Sequence, residues 1–150
     1  MTGSKVTVRL VAPAPHVHLC ALRLLREAWG LTQAAVARCR GIDQGTWSRI
    51  ERGVQSLSLP VLHAVVTCDC GNTMAEFFAL SEAVEVLLVK RGIEIVDEWP
   101  VPDFGASVVL RPRAIHELVA ADAADLVALR GVAQCLAIRD VGAPRREGPE

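Results

Sequence analysis

The stretch "GLTQAAVARCRGIDQGTWSRIERG", residues 30 to 53, decides how this chain is read. Glycines at 30, 41 and 53 punctuate it, and each run between them opens on a residue suited to start a helix. Thr32 and Asp43 both carry a side-chain oxygen that can accept a backbone N–H of a first helical turn. Gly41 between the runs suits the left-handed residue that stops one helix and redirects the chain. The spacing predicts a short helix from Thr32 to about Arg40, then a second from Asp43 that ends at Gly53. On the second helix Gln44 and Ser48 are four apart, and Gly45, Arg49 and Arg52 follow at steps of four and three. All five share one face, while Trp47 and Ile50 fall on the opposite one. In a chain that is 51% apolar, a face kept polar in this way calls for a polar partner.

Two short helices joined by a tight turn, the second presenting hydrogen-bonding side chains, read as a helix–turn–helix offered to a DNA major groove. The residue types fit that chemistry. Glutamine can bond adenine bidentately and arginine can bond guanine, while Gly45 lets the backbone approach closely or removes a side chain that would clash. Arg52, together with Thr32 and Gln33 at the start of the first short helix, suits phosphate oxygens.

Outward from this stretch the pattern is helical in short bursts from His16 to about Leu80. Leu19, Leu22 and Leu25 mark a first helix over about 17–28. Ser58 opens a fourth with Leu59, Leu62, Val65 and Val66 on its apolar face and Pro60 in its first turn. Thr73 opens a fifth, short one with Phe77 and Phe78. A sixth reads over 79–92. Upstream, "SKVTVRLVA" (4–12) alternates like a strand, "PAP" (13–15) acts as a linker, and "HVH" (16–18) reads as solvated linker. Downstream, 93–99 and 106–112 alternate like a pair of strands, "RAIHELVA" and "ADLVALRGVAQCLAI" are helical, and "GAPRREGPE" reads as a disordered tail.

At 150 residues the chain is one domain or a small domain with an appendage. No apolar run reaches about 18 residues, so no membrane span is expected. The N-terminus lacks the apolar block of a signal peptide, and a cytoplasmic protein, nucleoid-associated when bound to DNA, is the expectation. The five cysteines match no paired zinc spacing, and even "CDC" at 68–70 with His63 reads as small apolar residues kept reduced. Neither a metal nor a cofactor is expected. Phosphate-cradling glycine loops are absent, the four histidines share no spacing with a nucleophile, and Ser107 has no convincing lysine partner, so the chain does not read as an enzyme. Charge is uneven: residues 1–60 hold eight Lys/Arg against three acids, and residues 61–150 hold eight against fourteen. Only the first part is expected to meet a polyanion.

Taken in order, "LRLLREAWGLTQ" (22–33), Val36-Ala37, Gly41-Ile42, "SRIERG" (48–53), Pro60 with Leu62, and the Phe77–Phe78 pair closely resemble the Cro/CI-type, or XRE, helix–turn–helix family. The resemblance covers about residues 18–80. It implies a mainly α fold: a five-helix helix–turn–helix domain, here followed by a small mixed α/β subdomain. It also implies base reading by Gln44, Gly45 and Arg49, flanking contacts from Thr46 and Ser48, and phosphate contacts from Thr32, Gln33 and Arg52. Arg26 and Glu51 match a structural ion pair between the first and third helices. The chain departs from the family at Gly45, where a longer polar side chain is usual, at Trp47, bulkier than the usual aliphatic residue, and at "CDCGN" (68–72).

The expected organisation is an N-terminal strand and linker (1–15), the helix–turn–helix domain (16–80), a C-terminal dimerisation or effector subdomain (81–142) and a tail (143–150). One helix–turn–helix contacts one half-site, so a specific operator calls for two copies about 34 Å apart on an inverted repeat. The expectation is a dimeric, sequence-specific transcriptional regulator, a repressor of bacterial or phage origin. A protein partner or small effector would bind at the acidic C-terminal part. The alternative is an antitoxin or adaptor that uses the helical scaffold mainly to bind another protein.

Overall fold

Pro13 ends one element and starts the next. In the computed structural model, which describes residues 9–97 and 107–141 and the side chains up to residue 132, strand β1 spans Arg9–Pro13 and helix α1 spans Ala14–Ala28. Pro13 lies in the extended region at the helix N-cap, and Pro15 sits in the first turn, where its missing N–H removes no helical bond. "PAP" is therefore a strand-to-helix junction rather than a linker, and "HVH" belongs to α1. His16 is buried with Nδ1 2.9 Å from the Leu110 carbonyl oxygen. The His18 ring lies 5.8 Å from Phe77 and 5.5 Å from Phe78.

After α1 come α2 (Gln33–Arg40), α3 (Gln44–Glu51) and α4 (Leu59–Ala64). The α4 helix widens into a π-type turn over Val65–Asp69, closed by Cys70 N donating to Val65 O at 2.9 Å. This is the physical form of the unusual "CDCGN" segment. It buries Cys70, and it buries Asn72 where the side chain accepts from Trp29 Nε1 at 2.8 Å. Asp69 pairs with Arg40 at 3.0 Å, and burial nevertheless raises its carboxyl pKa. Burial likewise pushes the Cys20 and Cys70 thiols up to about 12, so both act as small apolar core residues.

Helix α5 runs unbroken over Met74–Lys90. Its start is a capping box, with Thr73 Oγ1 accepting from Glu76 N at 3.1 Å and Glu76 Oε1 accepting from Thr73 N at 2.9 Å. The fifth and sixth helices expected separately are thus one, because no glycine or proline interrupts residues 74–90. The boundary expected between residues 80 and 81 falls inside this helix.

Strands β2 (Glu94–Val96) and β3 (Ser107–Val109) are not neighbours: the sheet order is β2-β1-β3, with β1 parallel to both. Val11 opposes Glu94 on one side and Val109 on the other. The N-terminal strand is therefore the centre of the sheet, which explains why Val11 and Ala12 are fully buried. Helices α6 (Pro112–Ala121) and α7 (Ala123–Val141) complete the described chain. Residues 4–8 of the expected strand, the 98–106 connection and the 143–150 tail lie outside the described residues.

One core joins these parts. Leu22, Leu25, Val36, Trp47, Phe77 and Leu80 belong to the same buried cluster as Ile93, Leu110, Ile115, Val119 and Leu129. Helix α1 packs against α3, α5, α6 and α7, so it is the element around which the rest assembles. The architecture is mainly α with a small parallel sheet. Among the described residues no helix is long and apolar enough to cross a membrane.

Candidate nucleic-acid interface

The site is built on two caps and a turn. Thr32 Oγ1 accepts from Ala35 N at 3.0 Å and starts α2; Asp43 Oδ2 accepts from Thr46 N at 3.3 Å and starts α3. Between them Gly41 adopts φ 65° and ψ 29°, the left-handed conformation that a side chain would oppose. Each cap satisfies a backbone donor that would otherwise have no partner in a helix of only eight residues.

Burial then fixes the rotation of α3. Trp47, Ile50 and Glu51 are buried, whereas Gln44, Gly45, Arg49 and Arg52 are exposed and Thr46 and Ser48 half-buried. The outer face is held in place from below. Arg26 Nε on α1 donates to Glu51 Oε1 at 2.6 Å and Arg26 Nη2 to Glu51 Oε2 at 3.2 Å, a two-point pair shielded from water. Arg26 Nη1 also donates to the Leu31 carbonyl at 2.7 Å, tying the turn before α2 to the same guanidinium. Gln33 Nε2 donates to Glu51 Oε2, so three segments meet at one carboxylate.

Arg49 is oriented rather than loose. Its Nη2 donates to Thr46 Oγ1 at 3.0 Å and its Nε to Gln55 Oε1 at 3.2 Å. A Cβ added at Gly45 would lie 2.9 Å from the capping Asp43 Oδ2 and 3.7 Å from Arg49 Nη1. The absent side chain thus leaves room for both the cap carboxylate and the arginine. Arg52 caps the helix, and its Nε lies 3.4 Å from the Ser48 carbonyl that it donates to.

The end of α3 is clamped by residues distant in sequence. Gly53 has φ +75°, and a Cβ there would lie 2.9 Å from Pro112 Cδ and 3.2 Å from His16 Nε2. Arg111 Nη1 donates to the Gly53 carbonyl at 3.3 Å. Nearby, His116 Nε2 on α6 and Glu27 Oε1 on α1 are 2.9 Å apart, and that hydrogen bond is the main reason the Glu27 carboxyl titrates below its usual range.

All the residues singled out in the sequence therefore have a place. Gln44, Gly45, Thr46, Ser48 and Arg49 lie along the outer side of α3, with Arg52 at its end; Thr32 and Gln33 open α2, with the Gln33 amide nitrogen turned inward to Glu51. Sequence reasoning missed Gln55, six residues beyond Arg49 and outside its helix, because no helical spacing links them. It also missed the Gly53 clamp, whose partners come from α1 and α6 and leave no local signal. The geometry as it stands presents donors and a fixed guanidinium on a convex, basic helix face, with the ion pair keeping that face in register.

The sequence of residues 20–68 matches the family model described as a helix-turn-helix domain. No curated protein and no solved structure matches the chain. The capped α2–turn–α3 unit lies wholly inside the matched segment, so the match and the geometry agree on a helix-turn-helix over residues 20–68, which fits the resemblance to the Cro/CI kind.

Proposed function

We propose that this protein is a sequence-specific transcriptional regulator that binds a short inverted repeat as a dimer and acts as a repressor. In this reading α3 enters the major groove. Gln44 and Arg49 meet base edges, Gly45 permits close approach, and Thr46 and Ser48 contact flanking groups. The backbone N–H groups of Gln33 and Ala34 at the start of α2, with Thr32 and Arg52, take phosphates on either side. The Gln33 side chain contributes there by fixing Glu51 beneath the reading face.

One observation carries the reading. Arg49 is held in a defined direction by Thr46 and Gln55 on a helix whose other side is fully buried. An arginine that serves only as solvated surface gains nothing from such support; one that must present a planar fork to a base does. The test is selection of bound sequences from a random duplex library. Enrichment of one inverted repeat by the wild-type chain is the expected result. Enrichment of no sequence, with only weak salt-sensitive retention, would contradict sequence-specific reading.

A further inference from the structure

Of the three acids in residues 1–60, two are committed inside the fold: Glu51 holds the Arg26 guanidinium, and Glu27 bonds to His116. Asp43 differs from both. It is exposed at the start of α3, one residue before Gln44, and has no ion-pair partner among the described residues. A carboxylate there repels the polyanion that α3 is built to approach. Capping does not require the charge: serine, threonine or asparagine serves at an N-cap, and Thr32 starts α2 in that way. The helix dipole favours an acid at this end only modestly at an exposed position.

The carboxylate is half used. Its Oδ2 accepts from Thr46 N at 3.3 Å, and no hydrogen bond within the described residues occupies Oδ1. Gly45 opens a notch beside it. A Cβ at Gly45 would lie 2.9 Å from Asp43 Oδ2 and 3.7 Å from Arg49 Nη1, so an acceptor and a donor flank one gap in the outer surface of α3. Arg49 does not consume the acid, because its Nη2 and Nε are held by Thr46 and Gln55. A longer side chain at position 45 would fill the gap and screen both groups.

The bases differ in what they offer such a gap. Cytosine presents its N4 amino donor to the major groove with no acceptor beside it, adenine sets the N7 acceptor next to its N6 donor, and guanine and thymine turn acceptors outward. A carboxylate, which only accepts, therefore suits cytosine best, as arginine suits guanine. Given the reading of α3 above, we propose that Asp43 is a specificity-determining residue. It accepts from the N4 amino group of a cytosine at or beside the base pair whose guanine Arg49 reads. The same charge rejects any register that places an acceptor opposite it.

The test is selection from a random duplex library with wild type, Asp43→Asn and Arg49→Ala. Asparagine keeps an oxygen for Thr46 N and turns an amide donor outward where the carboxylate accepts. Wild type is expected to enrich cytosine at one position of each half-site, at or beside the position where Arg49→Ala loses its preference. Asp43→Asn should exchange that cytosine for guanine or thymine and bind the wild-type repeat about ten-fold more weakly, with the other positions and the thermal midpoint unchanged. Identical preferences for wild type and Asp43→Asn would overturn the proposal, making Asp43 a cap alone and leaving the reading by α3 standing. A change in affinity equal on every sequence would overturn it too, since charge acting on phosphate is blind to the base. Enrichment of no sequence by wild type would overturn both. Should Asp43→Asn unfold, Asp43→Ser still decides: it keeps the cap on a side chain too short to reach a base, and an unchanged cytosine preference there would overturn the proposal.

Discussion

Helices α3 and α5 both bury one side against α1, α3 through Trp47 and Ile50 and α5 through Phe77, Leu80, Val84 and Leu88, yet their outer sides differ in kind. The outside of α3 carries glutamine, glycine and two arginines; the outside of α5 carries two valines, Phe78, the acids Glu82 and Glu85, and Lys90. The inner faces follow the same rule, in which burying a large apolar side chain contributes about 1.5–3 kcal/mol. What distinguishes the helices is what they offer outward. Polar donors with a fixed guanidinium suit a polyanion whose groove edges accept hydrogen bonds; exposed valines between opposed charges suit another protein surface.

Breaking the support beneath α3 should have the largest effect. Glu51→Ala leaves the Arg26 guanidinium buried without its counter-charge and frees Gln33, and the loss should be about 3–5 kcal/mol by chemical denaturation. A loss under about 1 kcal/mol would mean that the ion pair is not what holds α3 in register. The same buried contact has no counterpart on α5, whose register is set by apolar packing and its capping box.

A smaller effect is expected where α3 ends. Gly53→Ala forces a side chain into the left-handed region and against Pro112, and should cost about 1–2 kcal/mol. Because Pro112 and Arg111 come from the far side of the sequence, DNA affinity should fall along with stability. Equal affinity in a destabilised protein would separate the clamp from the reading face.

The smallest effect comes from α1, beneath both helices, and depends on pH. Burial lowers the pKa of His16 and His18 from the ordinary 6.5, so the fold takes up protons at these sites less readily than the unfolded chain does. Stability from this source is therefore complete above about pH 6.5 and is lost as pH falls through the folded values. Glu27, lowered chiefly by its hydrogen bond with His116, acts in the same direction below 4.5. The thermal midpoint should fall between pH 7.5 and pH 5, and fall less in His18→Leu, whose side chain packs on Phe77 and Phe78 without titrating. A midpoint that rises on acidification would reverse the assignment.

The same contrast explains what the sequence made legible. The α2–turn–α3 unit is written in local signals: Thr32 and Asp43 cap over three residues, Gly41 is read from its own backbone, and Trp47 with Ile50 mark the inner side at helical spacing. Arg26 and Glu51, distant along the chain, were legible only through the family resemblance. The alternation of β1 and of the two later stretches makes a shared sheet readable, but not its order or register, since parallel strands take partners far along the chain: β1 pairs with residues 83 and 98 positions away. Nothing in "SKVTVRLVA" says that it lies between the other two strands. The split of α5 has a different cause: the expected fifth helix with Phe77 and Phe78 stops at the domain boundary near residue 80, although no breaker residue stands there. Histidines 16 and 18 read as linker because a helix that begins at Ala14, between Pro13 and Pro15, looks locally like a proline linker.

The account turns on whether α3 reads bases, and Arg49 tests that most directly. Equilibrium binding should be measured for wild type and Arg49→Ala on the selected inverted repeat and on a scrambled duplex of equal length and salt. Loss of one bidentate base contact is worth about 1–3 kcal/mol, roughly ten- to a hundred-fold per half-site. The expected result is that loss on the inverted repeat with little change on the scrambled duplex, so that the ratio between them collapses. An equal loss on both duplexes would make Arg49 a phosphate contact, and no loss on either would contradict the claim that α3 is the reading helix.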